Sequence, residues 1–269
     1  MSTSPGRLWL VPAPIGTPDD AREVLPAATL ATIARLEVFI VENAKSARSF
    51  LRVLDLARPL QELEMLEWNE HSRSEDLPRA LAPLLAGRDV GLVSEAGCPA
   101  VADPGADLVA AAHASGIEVR PLVGPSSLLL ALMGSGLNGQ RFSFAGYLPV
   151  DAGQRAAAIS ACERRSALGD ETVLLIETPY RNRQILAALL EHLQPETRVL
   201  VASGLTMPEQ RIVMRSVREL RAAPPELPRT PTVFGLLART AGPAASAPGG
   251  RQDRPRRTGS ARGTRPRHG

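Results

Sequence analysis

Cysteine, lysine and long apolar runs are scarce in this chain of 269 residues, and each scarcity removes a class of protein. The two cysteines, Cys98 and Cys162, lie far apart, so neither a disulfide framework nor a CxxC metal site is available. A reducing, cytoplasmic setting is therefore expected. No apolar stretch reaches the roughly 18 residues of a membrane helix, so no membrane association is expected. The polar opening over residues 1–6 lacks the apolar segment of a signal peptide. Lys45 is the only lysine; every other basic side chain is arginine. With no Walker lysine, no metal-binding carboxylate pair and no GxGxxG fingerprint, nucleotide hydrolases and nicotinamide enzymes lose support, and no metal is expected.

The formal charge of +3 is misleading. Seven of the 31 basic residues and one of the 28 acidic ones lie at 241–269, which leaves 24 against 27 and about −3 for the body. Only the tail is basic. Its Gly, Pro, Ala, Ser and Arg composition has no apolar periodicity, so 241–269 is expected to be disordered.

Ahead of that tail, short apolar runs alternate with helical patterns. Strands are expected at 8–11, 38–42, 90–94, 118–123, 142–145, 172–177, 199–202 and 232–237, with a ninth at 211–215. Helices are expected at 25–35, 45–54, 75–86, 106–114, 126–133, 154–167, 181–193 and 217–222. Such alternation predicts an α/β fold with a largely parallel sheet in the first half. The polar, glycine-rich stretch GSGLNGQ reads as a hinge. It divides the chain into an N-terminal α/β domain, 1–135, and a C-terminal mixed α+β domain, 136–240.

Four segments follow strand ends, where an open α/β sheet places ligands. VPAPIGTPDD (11–20) is stiffened by prolines, while Gly16 permits close approach of the backbone. VSEAGCPAVADPGADLV (93–109) is the most informative: its small side chains leave room for a flat or extended ligand against the backbone. Asp103, just ahead of a helix, is also a residue type that caps helices. In PLVGPSSLLLALMGSG (121–136), Ser126 and Ser127 stand where a hydroxyl either caps the helix or faces a ligand. The fourth, LLIETPYRN (174–182), ends a strand in Glu177 and Thr178.

Taken together and in order, these motifs resemble the tetrapyrrole (corrin/porphyrin) methylase superfamily. They are most similar to its branch of ribosomal small-subunit RNA ribose 2′-O-methyltransferases. VPAPIG resembles the branch's proline-rich opening turn, and SEAGCPAVADPG its S-D-A-G-T-P-x-x-x-D-P-G signature. VGPSS is similar to its P-G-P-S-A loop, IETPYR to its aromatic-E-S-x-H-R stretch, and SGLNGQRFSFAGYLP to its interdomain linker. The similarity runs over roughly residues 7–240.

The resemblance implies two α/β domains, a cofactor cleft between them, S-adenosylmethionine as methyl donor, and a homodimer. It implies cofactor contacts from Pro14 in the first loop and from Ser94, Ala96, Gly97, Cys98 and Val101 in the second. Ser126 and Ser127 would approach the methionine end or the ribose. Glu177, Thr178, Ala202, Leu205, Pro231 and Thr232 would wall the adenosine.

The sequence departs from the branch on its substrate side. Where the branch has E-D-T-R-H-T, this chain reads VENAKSARSF, retaining Glu42 and placing Lys45 nearby. The H-D-H-N-E stretch becomes LEWNEHS, with a displaced His71. Glu42, Lys45 and His71 are thus the candidates for a role in catalysis, His71 being the general base by residue type. Solvated-face readings stand beside the roles of Lys45 and His71. Ribosomal RNA is the first expected acceptor, and the arginine-rich tail suits a phosphate backbone. A small tetrapyrrole precursor is the alternative, although the G-x-G-P-G-D opening of those enzymes is absent. A third reading is a protein that binds S-adenosylmethionine or RNA without transferring a methyl group.

Overall fold

The computed structural model describes residues 4–238; the expectation for the tail 241–269 lies outside the described residues. The first half runs β1 (Leu8–Val11), α1 (Ala21–Val24), α2 (Ala27–Ile33), β2 (Val38–Val41), α3 (Ala44–Arg52), β3 (Glu64–Glu67), α4 (Leu77–Leu85), β4 (Val90–Val93), α5 (Ala106–Ala114) and β5 (Val119–Pro121). Its strands form one sheet in the order β3-β2-β4-β1-β5, with every pairing parallel.

Continuous apolar runs make this sheet a buried layer. All four residues of β2, VFIV, are buried, as are those of β4. Phe39 and Val41 join Val11 and Val93 under the helices α1 to α3, while Val38 and Ile40 pack with Leu8 and Leu92 under α4 and α5. A sheet covered on both faces needs apolar side chains at consecutive positions. At Gly91 a Cβ would stand 3.0 Å from the side chains of both Leu36 and Phe39, so a larger residue there would press on β2 and the turn before it.

The chain after β1 crosses to β2 on one side of the sheet, whereas the chain after β4 crosses to β5 on the other. The carboxyl ends of β1 and β4 therefore flank a topological switch point, the place where an open α/β sheet forms a ligand crevice.

The second half runs α6 (Ser127–Ser135), β6 (Phe142–Phe144), α7 (Ala152–Gly169), β7 (Thr172–Glu177), α8 (Asn182–His192), β8 (Arg198–Ser203), β9 (Arg211–Ser216), α9 (Val217–Ala222) and β10 (Thr232–Leu237). Its sheet has the order β6-β7-β10-β8-β9. Only β6 and β7 pair in parallel; β10 is antiparallel to β7 and β8, and β8 to β9. On one face Ile159, Ile185, Leu189, Val217 and Leu220, from α7, α8 and α9, pack over Phe234. On the other, Ala131 of α6 packs with Leu174, Leu200, Ala202 and Val233.

Helix α6 thus lies against the second sheet, ahead of the glycine-rich stretch in sequence. The fold is the expected α/β pair, parallel then mixed. Two details differ from the sequence reading. β3 was not expected, because EMLE carries only two central apolar residues; it is a half-exposed edge strand held by backbone pairing to β2, with charged ends suited to an edge. The helix expected at 25–35 is the shorter α2, which begins after Pro26, a residue with no N–H to donate, and a further helix, α1, precedes it at Ala21–Val24.

Candidate functional site

Three loops at the switch point are tied to one another. The N–H of Ala13 donates to the carbonyl of Gly97 at 2.9 Å, and the Gly97 N–H returns a bond to Ala13 at 3.0 Å. The Cys98 thiol donates to the carbonyl of Pro125 at 3.5 Å. Ser126 caps α6, accepting the Leu129 N–H at 3.4 Å, while its neighbour Ser127 lines the cleft. The two serines therefore divide the two roles that the sequence offered them.

The loop after β4 is unusually wound. Ala100 and Ala102 both hold φ at 64°, a left-handed conformation that a side chain resists. Such residues cost on the order of 1–3 kcal/mol each and persist where the surroundings impose them. Asp103 does not cap the following helix: the N-cap of α5 is Gly105, at φ 129°. Pro104 and Gly105 separate Asp103 from the first turn of α5, and a Cβ at Gly105 would lie 2.9 Å from Leu92. Asp103 is left with its side chain beside Ser94 at the end of β4.

Between the two halves lies a cavity of about 170 Å³, lined by Ile15, Ala96, Gly97, Ser127, Tyr147, Ile176, Glu177, Leu205, Pro231, Thr232 and Val233. Seven of the residues implied by the resemblance meet there: Ala96, Gly97, Ser127, Glu177, Leu205, Pro231 and Thr232. A Cβ at Gly97 would meet only the Pro125 carbonyl, at 3.7 Å, so the backbone is open to a ligand.

The other implied residues lie elsewhere. Pro14 lines a second cavity of about 470 Å³ with Gly16, Asn43, Lys45, Ser46, Ser49, Phe50 and Glu95. Ser94 and Ala202 are buried at the ends of their strands, Ala202 within the second core. Val101 is exposed. Thr178 supports Glu177 from behind. The loops after β1 and β4 form the wall shared by the two cavities.

Glu177 is the polar feature of the smaller cavity. Its side chain is only 1% exposed. Oε1 accepts the Thr178 N–H at 2.8 Å and the Thr178 hydroxyl at 3.2 Å. Oε2 stands 3.4 Å from an Arg181 guanidinium nitrogen but has no hydrogen-bond partner. Arg181 is itself held by the carbonyls of Leu148 and Pro149, at 3.1 and 3.2 Å. Next to it, the Asn182 amide donates to the Thr230 carbonyl and the Thr232 hydroxyl, both at 2.9 Å, which fixes the wall formed by Pro231 and Thr232. A buried acceptor without a donor is expensive to leave unpaired.

The charge facing the cleft is negative. Burial, then the Glu42 carboxylate, push the Asp103 carboxyl up to about 6, against a smaller opposing influence of the Ser94 side chain. Burial and Glu95 raise Glu42. Burial, then Asp103, Glu177 and Glu42, raise the Tyr147 hydroxyl, and burial and Asp103 raise the Cys98 thiol. Tyr147 and Glu177 line the smaller cavity and Glu95 the larger, whereas Glu42 and Asp103 line neither of the two.

Lys45 lies in the first turn of α3 and lines the larger cavity. His71 is 84% exposed, in a separate groove with Asn69, Ser72, Asp76 and Arg79. Sequence reasoning missed Ile15, Tyr147, Ile176 and Val233 in the cleft. Tyr147 sits in the linker motif GYLP, whose single exposed aromatic was the available signal.

Two sheets, one parallel and one mixed, each packed with helices and with a small-residue cleft between them, define an α/β fold. Residues 7–221 match the family described as Tetrapyrrole (Corrin/Porphyrin) Methylases, and the chain belongs to that family. It is 35% identical over 199 residues to a Ribosomal RNA small subunit methyltransferase I of Mesorhizobium japonicum, covering 74% of this chain and 63% of that protein. It is 35% identical over 217 residues to the protein of the same name from Micromonospora olivasterospora, covering 81% and 65%. The chain thus spans under two thirds of the length of those relatives. Among solved structures, the methyltransferase CobJ aligns with a TM-score of 0.57 at 23% identity, over 88% of this chain and 98% of that one. A uroporphyrin-III C-methyl transferase from Thermus thermophilus, complexed with S-adenosyl homocysteine, aligns at 0.52 and 21% identity, over 86% and 97%. At these identities the structures support the fold. Among the described residues, no helix is long and apolar enough to cross a membrane.

Proposed function

We propose that this chain is an S-adenosylmethionine-dependent methyltransferase that modifies ribosomal RNA at a ribose 2′-oxygen, acting in the cytoplasm as a homodimer. The observation that carries the reading is the cleft: four loops from two sheets converge on a slot of small and apolar side chains walled on one side by the buried Glu177. The name shared by relatives at 35% identity supports RNA as the acceptor.

The residues present fit the cofactor. Gly97 leaves its backbone open, Ser127 and Thr232 add hydroxyl-bearing side chains to the wall, and Ile15, Ile176 and Val233 suit the faces of a flat heteroaromatic ring. When bound, S-adenosylmethionine supplies a methyl group on a positively charged sulfur. The negative field of Asp103, Glu42 and Glu95 attracts that charge. The chain's own contribution is to hold the acceptor in line and to exclude water. The larger cavity, with Lys45, Ser46 and Ser49, lies across the shared wall and is our site for the acceptor's sugar-phosphate. The chain on this reading comprises an N-terminal unit, 1–135, whose last helix α6 reaches over to pack against the second sheet, a C-terminal unit, 136–240, and the arginine-bearing 241–269.

Calorimetric titration with S-adenosylmethionine and S-adenosylhomocysteine, followed by methyl transfer to ribosomal RNA from a strain lacking the modification, tests the reading. Saturable binding of both and incorporation at a 2′-oxygen are expected. A folded sample that binds neither ligand removes the enzyme assignment.

A further inference from the structure

Aromatic side chains make up 3% of this sequence, and only two of them are tyrosines, Tyr147 and Tyr180. Phe39, Phe50, Phe234 and Trp68 are buried in the cores, where large apolar groups belong. The tyrosines are instead 54% and 87% exposed, more than any other aromatic side chain among the described residues. The fold puts both on one edge. β6 and β7 are the single parallel pair of the second sheet, so the segments that follow them leave side by side, about 4.8 Å apart. Tyr147 stands three residues past the end of β6, and Tyr180 three past the end of β7.

The two segments are pinned to each other. The Ala145 N–H donates to the Leu174 carbonyl at 2.9 Å, and the Gly146 carbonyl accepts the Ile176 N–H at 3.1 Å. Arg181, the residue after Tyr180, donates to the carbonyls of Leu148 and Pro149, the residues after Tyr147. Arg155 holds the same stretch from α7, donating to the carbonyls of Pro149 and Val150 at 3.2 and 2.7 Å. The backbone beneath both rings is thus fixed before any partner arrives, which lowers the ordering cost of binding there.

Tyr147 also lines the cleft, with Gly97, Ser127 and Glu177. A methyl acceptor has to approach that cleft, so the rings lie on its path. Exposed aromatic rings hold unpaired nucleotides by stacking against their bases. Arg183, exposed in the first turn of α8, adds a positive charge near Tyr180 that suits the phosphates between bases. Resting on the reading that the acceptor is RNA, we propose that Tyr147 and Tyr180 form a platform at the mouth of the cleft on which unpaired bases of the acceptor stack. The base nearer the cleft lies on Tyr147 and a neighbouring base on Tyr180. Every base has a flat face, so the platform supplies affinity and orientation with little choice of sequence.

The test follows, by fluorescence anisotropy, the binding of a labelled single-stranded oligoadenylate of about ten nucleotides to the full chain saturated with S-adenosylhomocysteine. The titration is repeated over about 0.05–0.2 M salt. Tyr147→Ala and Tyr180→Ala should each weaken binding by about tenfold, while Tyr147→Phe and Tyr180→Phe, which keep the ring, should stay within about twofold of wild type. The slope of log K against log salt should not change, because stacking releases no counterions. Alanine variants that bind the oligonucleotide as the wild type does overturn the platform and leave the RNA reading standing. Weaker binding with a shallower salt slope makes the contact ionic and overturns stacking. If Tyr147→Ala weakens S-adenosylhomocysteine more than it weakens the oligonucleotide, that ring belongs to the cofactor pocket and the platform falls. A wild-type chain that binds S-adenosylhomocysteine but no oligonucleotide, even at the lowest salt, removes the RNA reading and the platform with it.

Discussion

The two sheets face one cleft with different materials. The first presents the small residues Ala96 and Gly97, and carries the carboxylates Glu42, Glu95 and Asp103 nearby on loops at the ends of parallel strands. The second presents a mainly apolar wall, Ile176, Leu205, Pro231 and Val233, with one carboxylate, Glu177, whose side chain is 1% exposed. Parallel strands deliver all their carboxyl ends to one edge, so polar loop residues accumulate there. A mixed sheet presents strand starts and strand ends together, and its edge offers shape. The comparison suggests that the first unit supplies the field and the second the fit.

The largest effect should come from the cores. Phe39 and Phe234 are fully buried, each in its own sheet, so Phe39→Ala and Phe234→Ala should each cost about 3–5 kcal/mol. If the sheets melt separately, each variant moves only its own transition in calorimetry; a single transition moved equally by both would remove the distinction between units. Next comes Gly97→Arg, which places a long side chain in the cleft at a residue with φ 69°. The Kd for S-adenosylmethionine should rise by about 100-fold or more, a loss of about 2.7 kcal/mol. Normal affinity in that variant would mean that the ligand sits elsewhere.

A smaller effect separates the two kinds of carboxylate. Glu177→Gln removes charge from the unpaired acceptor and should weaken cofactor binding by about tenfold, close to 1.4 kcal/mol. Glu42→Gln should weaken binding of S-adenosylmethionine by about twofold and leave that of S-adenosylhomocysteine, whose sulfur is uncharged, unchanged. Equal effects on Kd from both variants would break the division between field and fit.

The smallest effect is on stability. The Asp103 carboxyl titrates at about 6 when folded and near its ordinary 3.8 when unfolded. Between those values the folded chain holds a proton that the unfolded chain has released, so stability falls as pH rises from about 4 to about 6. Above that window the penalty is fully present. Asp103→Asn removes it, and after allowance for solvent screening the gain at pH 7 is about 1 kcal/mol, a rise in Tm of about 2–4 °C. The gain should vanish near pH 4; a Tm difference independent of pH would show that the carboxylate is not destabilised by folding.

Much of this was legible along the chain, and particular residues show where legibility stopped. The parallel sheet was readable because β2 and β4 are uninterrupted apolar runs, the pattern that burial on both faces demands. β3 was not, because an edge strand takes its stability from backbone pairing and needs few apolar side chains. Ser126 and Ser127 were both marked, but choosing the cap from the cleft residue required the direction of α6. Asp103 was read as a cap from its position before a helix, while the helix begins after Gly105 instead. Ile176 and Val233 carried no local mark at all, since a cleft wall and a core face look alike in sequence.

The amino-acid sequence by itself determined the elements, the two sheet types and the loops that end at the cleft. Those follow from periodicity, proline and glycine, which act over a few residues. Only the tertiary structure decided which side chains share the cleft, that Glu177 keeps one oxygen unpaired, and that Asp103 holds its proton more tightly than an ordinary aspartate. Each of those depends on groups distant in the chain, Glu42 beside Asp103 and Tyr147 across from both, because desolvation and Coulomb energy are set by distance in space.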